Sequence, residues 1–142
     1  MSDSYIPAEL RRKVNERAGG RCEYCLIPES VTFVSHEIDH IIAEKHGGPT
    51  ESDNLALSCA LCNKHKGSDL TSIDPETGEI VPLYHPRREN WTDHFRLSEG
   101  QIAPLTSTGR VTARLLHFND QNRVVERQTL LPAGLLTVFQ NK

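Results

Sequence analysis

The chain reads as a small α+β fold whose first half is tied together at one point by cysteine. Three observations predict it. Two Cys-x-x-Cys turns, Cys22/Cys25 and Cys59/Cys62, hold all 4 cysteines of the 142 residues. A run rich in β-branched residues, 37–42, lies between them, which is the composition of a strand. Outside them, apolar residues recur at helical spacing over residues 7–18 and 106–118. This length fits a single domain spanning residues 1–142.

The elements follow in chain order. Pro7 suits a first helical position, Leu10, Val14 and Ala18 share one face, and Gly19-Gly20 ends the helix. Its other face carries Arg11, Arg12, Lys13 and Arg17, a solvated face or, alternatively, a phosphate contact. Cys22-Glu23-Tyr24-Cys25 is a tight knuckle. Residues 31–34 and 37–42 are assigned as strands, and 45–53 as a loop broken at Gly47-Gly48-Pro49. Asn54-Leu55-Ala56-Leu57 leads to the second knuckle, from which a helix runs to about Leu70. Strand, loop and helix around one cysteine-rich point make a ββα unit.

Beyond it, residues 74–78 form a turn and 80–83 a short edge strand. Residues 91–97 suit helix or strand, and 102–105 a pairing strand. The helix over 106–118 places Val111, Leu115 and Phe118 on one face, with Thr106 or Ser107 as cap. A last helix lies within 121–139, interrupted near Pro132 and Gly134. Trp91 and Phe95 are expected in the core rather than as base-stacking platforms. His36, His46 and His65 read as polar strand or surface residues, and His85 and His94 carry no assigned role.

A net charge of −3 is not the signature of a general nucleic-acid binder. The charge is uneven, however. Residues 1–80 hold 8 Lys/Arg against 14 Asp/Glu, a balance of −6; residues 81–142 hold 8 against 5, a balance of +3. A phosphate-binding face is therefore expected to draw on Arg87, Arg88 and Arg110, together with Lys64 and Lys66. The first residues are polar, and no stretch nears the roughly 20 apolar residues that span a bilayer. A reducing cytoplasm is expected, with no membrane partner and an idle Asn90-Trp91-Thr92 sequon. There, paired cysteines favour metal over two disulfides. Four thiolates leave no position open for water, so Cys22, Cys25, Cys59 and Cys62 are read as ligands of a structural Zn²⁺.

Asp39, His40, Asn54 and Asn63 then need an account. A carboxylate and an amide oxygen suit a hard divalent ion. An imidazole suits proton abstraction near neutral pH. Together they fit hydrolysis of a phosphodiester. The plainer alternatives are a satisfied core histidine at 40, a strand-end cap or supporting partner at 39, and helix caps at 54 and 63.

Read in order, Ile38-Asp39-His40-Ile41-Ile42, Gly47-Gly48, Asn54-Leu55 and Cys59-x-x-Cys62-Asn63-x-x-Lys66 resemble the HNH endonucleases. The closer resemblance is to their four-Cys zinc branch, with a ββα-metal (His-Me finger) active site. It covers about residues 21–67, with 13 residues between His40 and Asn54 and 8 between Asn54 and Asn63. A weaker likeness to extensions of small bacterial HNH proteins runs over 81–114.

The resemblance implies a core over about 20–70, an N-terminal helix at 7–19 and a C-terminal α/β extension over about 74–142. It implies His40 as general base, Asp39 and Asn63 as ligands of Mg²⁺ or Mn²⁺, Asn54 as the pin of the loop presenting His40, and Lys66 as a phosphate contact. The last letter of the motif is Asn63 rather than His, which favours Mg²⁺ over a softer ion. The activity implied is metal-dependent cleavage of double-stranded DNA. A non-catalytic, zinc-stapled nucleic-acid-binding module is the alternative of another class, and an RNA-directed nuclease a third. Oligomeric state is not readable from these residues.

Overall fold

A computed structural model describes residues 5–142; residues 1–4, the start of the polar N-terminal run, lie outside the described residues. Two compact units divide the chain, Met1–Ser68 and Asp69–Lys142. Both mix short helices with pairs of antiparallel strands.

In the first unit, helix α1 spans Ala8–Ala18 and ends where Gly19 takes φ 63° and the Gly20 amide reaches Asn15 O. Strands β1 (Glu37–His40) and β2 (Leu55–Ser58) pair antiparallel, with Glu37 opposite Ser58 and His40 opposite Leu55. Alternation along a strand puts Ile38 and His40 on one side with Leu57 and Leu55. Val14 and Ala18 of α1 pack there with Ile6, Leu55 and Leu57, and Leu10 and Ile38 lean on the cluster. Glu37 and Asp39 occupy the other side, where they meet helix α2 (Ala60–Lys66) through Asn63 and Lys66.

Two sequence expectations give way here. Residues 31–34 form no strand. A short 3-10 turn over Glu29–Val31 leads into a loop whose Phe33 is fully exposed. Among the described residues the β-branched run has no partner strand, and the Glu29 carboxylate accepts the His36 amide instead, at 2.7 Å. The helix after the second knuckle stops at Lys66 rather than near Leu70, because Gly67 adopts φ 52° and ψ −129°, open to glycine alone.

In the second unit, β3 (Thr71–Ile73) pairs with β4 (Ile80–Pro82), and β5 (Phe95–Ser98) with β6 (Gln101–Pro104). The second hairpin turns on Glu99 and Gly100, both at positive φ, as a two-residue turn matching strand twist requires. The ambiguous stretch 91–97 resolves into one helical turn, α3 (Trp91–His94), followed by β5. Helix α4 (Ser107–Leu115) is capped by the Thr106 hydroxyl, which accepts the Gly109 amide at 3.0 Å. Helix α5 (Gln121–Leu130) ends before Pro132.

Trp91 and Phe95 lie in the core as expected, with ring centroids 5.1 Å apart; Phe118 stands 5.5 Å from Phe95. Arg123 and Arg127 are buried ties: Arg123 Nη1 donates to Leu116 O at 2.7 Å and Arg127 Nε to Gly100 O at 2.6 Å. Among the described residues no helix is long and apolar enough to cross a membrane.

Candidate metal centre and active site

The first knuckle folds back on itself: Leu26, at φ 73°, donates to Cys22 O, and Cys22 N donates to Ile27 O. Glu23 fastens the knuckle to β2, its amide reaching Leu57 O and its carboxylate accepting Leu57 N, both at 2.8 Å. The second knuckle opens α2, with Cys59 as cap and the Cys62 amide 3.4 Å from Cys59 Sγ. The two turns meet. All four Sγ atoms lie within 4.8 Å of one another, Cys25 and Cys59 at 3.6 Å, and every one of these residues is buried. Burial pushes the Cys22 and Cys62 thiols well above their usual range, so only a bound cation makes thiolates tenable there. Four converging sulfurs with no oxygen donor among them suit a tetrahedral zinc ion.

Around α2 and β1 the donors change to oxygen. Asn63 Nδ2 donates to Glu37 Oε2 at 2.5 Å, which orients the amide and leaves its oxygen for another partner. One turn on, Lys66 Nζ lies 3.1 Å from Asp39 Oδ2, and Tyr24 of the first knuckle donates to the same oxygen at 3.0 Å. Burial raises the Asp39 carboxyl above its usual range; the Lys66 charge, then the hydrogen bonds from Lys66 and Tyr24, pull it back. Asp39 and Asn63 thus belong to one β1–α2 face. Their carboxylate and amide oxygens fit a hard divalent ion, where the sulfur centre does not.

His40 closes β1. Its Nε2 is 2.9 Å from the Thr50 hydroxyl, while its Nδ1 is buried and makes no hydrogen bond among the described residues. Thr50 sits on a loop that Asn54 pins. Asn54 Oδ1 accepts Ile42 N, and its Nδ2 donates to Ile42 O and Pro49 O, each at 2.9 Å. Gly48 permits this closure, since a Cβ there would stand 1.7 Å from Ile42 O. Arg17 braces the same loop from α1, donating to Ser52 and to Leu55 O.

The basic residues part company. Lys66, read from its place in the motif as a phosphate contact, turns inward. Its side chain is 3% exposed, and the ammonium is held by Asp39, Ile41 O and His40 O. Arg110 is likewise committed to Asp74, at 2.9 and 2.8 Å. Lys64 and Arg88 are exposed, and Arg87 is half-buried. Tyr24, Glu37 and Thr50 were not singled out by the motif. Glu37 alone carried a signal, standing two residues before Asp39 and so on the same strand face.

Residues 22–69 match the family model described as HNH endonuclease. The match begins on Cys22 and takes in all four cysteines with Asp39, His40, Asn54 and Asn63. A nucleic acid is the partner this family implies. Neither the curated proteins nor the solved structures yield a match to the chain.

Proposed function

From an HNH endonuclease segment at residues 22–69 as premise, we propose that the chain is a metal-dependent endonuclease hydrolysing phosphodiester bonds in double-stranded DNA. The observation that carries the reading is the state of His40. Its imidazole has Nε2 engaged by Thr50 and Nδ1 without a partner, at the end of the strand whose preceding carboxylate faces the helix of Asn63.

His40 acts as the base. In the tautomer that donates from Nε2 to Thr50, Nδ1 is the nitrogen left to take the proton from water. The resulting hydroxide attacks phosphorus in line with the departing 3′ oxygen. Asp39 and Asn63 would hold a Mg²⁺ or Mn²⁺ ion, with Glu37 setting the amide of Asn63. When bound, that ion stabilises charge on the phosphate and the leaving oxygen. Asn54 fixes the loop that carries Thr50 and so the angle of the imidazole. Lys64 and Arg88, with Arg87, supply phosphate contacts. A reducing compartment such as the cytoplasm suits a centre built from four thiols.

Nicking of supercoiled plasmid with Mg²⁺ or Mn²⁺ tests the reading. His40→Ala is expected to lower the rate by roughly two to four decades, the usual scale for a general base. Equal rates in the two proteins reject His40 as the base. An inactive wild type under every divalent ion favours a zinc-stapled binding module instead.

A further inference from the structure

Tyr24 stands between the two cysteines of the first knuckle, 1% exposed, and its hydroxyl donates to Asp39 Oδ2 at 3.0 Å. A buried phenol needs a partner for its O–H. Here that partner is a carboxylate rather than a backbone carbonyl. Lys66 reaches the same oxygen from the helix that the second knuckle opens. Both donors therefore come from segments that the sulfur centre fixes, and both fall on one oxygen of the pair. Oδ1 is left as the oxygen with the greater capacity for a further ligand. Donors to an ionised carboxylate are strong and hold its rotamer.

We propose that Tyr24 is a positioning residue for the oxygen-bound ion: through its hydroxyl, the zinc knuckle sets which Asp39 oxygen faces that ion and how rigidly. This rests on the reading of Asp39 as an ion ligand. Partners that orient a ligating carboxylate contribute about ten- to a hundredfold to metal affinity. A tyrosine serving only as core filling would be replaced by phenylalanine at no cost to ion binding. The ring of Tyr24→Phe keeps its packing, so the hydroxyl alone is removed.

The test is titration of the zinc-loaded full chain with Mn²⁺ alone, free Mn²⁺ being read by electron paramagnetic resonance. Tyr24→Phe is expected to bind Mn²⁺ about tenfold more weakly, with zinc content held. Asp39→Ala is expected to lose this binding. In the wild type, Mg²⁺ is expected to perturb the ultraviolet absorption of tyrosine, a signal missing from Tyr24→Phe. Wild-type Mn²⁺ affinity in Tyr24→Phe, with binding lost in Asp39→Ala, overturns the role of Tyr24 alone. Binding retained in Asp39→Ala overturns it together with the reading it rests on. Should Tyr24→Phe lose zinc, the wild-type difference spectrum decides: no perturbation by Mg²⁺ overturns the proposal.

Discussion

An ammonium inside a protein is costly unless its charge is matched. Lys66 is matched by Asp39 Oδ2 at 3.1 Å and by the carbonyls of Ile41 at 3.1 Å and His40 at 3.4 Å. Those contacts hold the end of β1 at His40. Lys66→Met strands the Asp39 charge and is expected to cost about 3–5 kcal/mol, read as a fall in the unfolding midpoint. It is also expected to leave the slope of log K against log salt for DNA binding unchanged. Lys64→Ala and Arg88→Ala should each lower that slope by about one. A unit drop on removing Lys66 would return it to the phosphate face. Its partners lie 25 and more residues back in the chain, so the sequence offered a basic residue beside a motif and no sign of its direction. The sulfur cluster was readable because paired cysteines name their own chemistry. The hydroxyls of Tyr24 and Thr50 were not, since only the fold brings them to Asp39 and His40.

Among the elements, those set by local rules came through the sequence well. Helix α1 has its apolar face and its glycine stop, and the two knuckles are set by cysteine spacing. The stretch 31–34 did not, because strand composition counts only when a partner edge exists, and none among the described residues reaches it. The loop between β1 and β2 has the composition of an irregular segment, yet it is tightly built. Asn54 makes three hydrogen bonds across it, and Ile42 O passes too near Gly48 for any side chain. Gly48→Ala must push the loop off Asn54, which frees Thr50 from His40. The expected result is a lower melting temperature and a loss of nicking, from a substitution that touches neither His40 nor the oxygen donors at 39 and 63. Unchanged melting and nicking would show that this loop does not position the imidazole. Asn54→Ala tests the same closure from its other side, with an expected cost on the order of 2–3 kcal/mol for stranding buried backbone groups.

Across the whole chain, two different kinds of bond answer to two different treatments. The four sulfurs all belong to Met1–Ser68, whereas Asp69–Lys142 is built on an aromatic cluster and on buried arginine ties. The basic balance of residues 81–142 is partly spoken for by those ties, so the salt dependence of the proposed DNA binding should be shallower than the residue count implies. Trp91, the single tryptophan, lies buried in the second unit. In that unit the Arg110 guanidinium holds the Asp74 carboxyl well below its usual range. A depressed carboxylate adds stability above its unfolded value of about 3.9 and loses it as pH falls through the folded one. Acid should therefore weaken the second unit below about pH 4, by Trp91 fluorescence, and Asp74→Asn should flatten that dependence. Chelation acts on the other unit. Ligand convergence is linked to folding, so stripping zinc near neutral pH is expected to remove the far-ultraviolet dichroism of the first unit. Trp91 emission should stay at its native wavelength, since all four ligands belong to the first unit and Trp91 to the second. Full dichroism after complete zinc removal would mean that the apolar cluster of α1 and β2 holds the first unit unaided, and the sulfur centre would then have to be assigned another task.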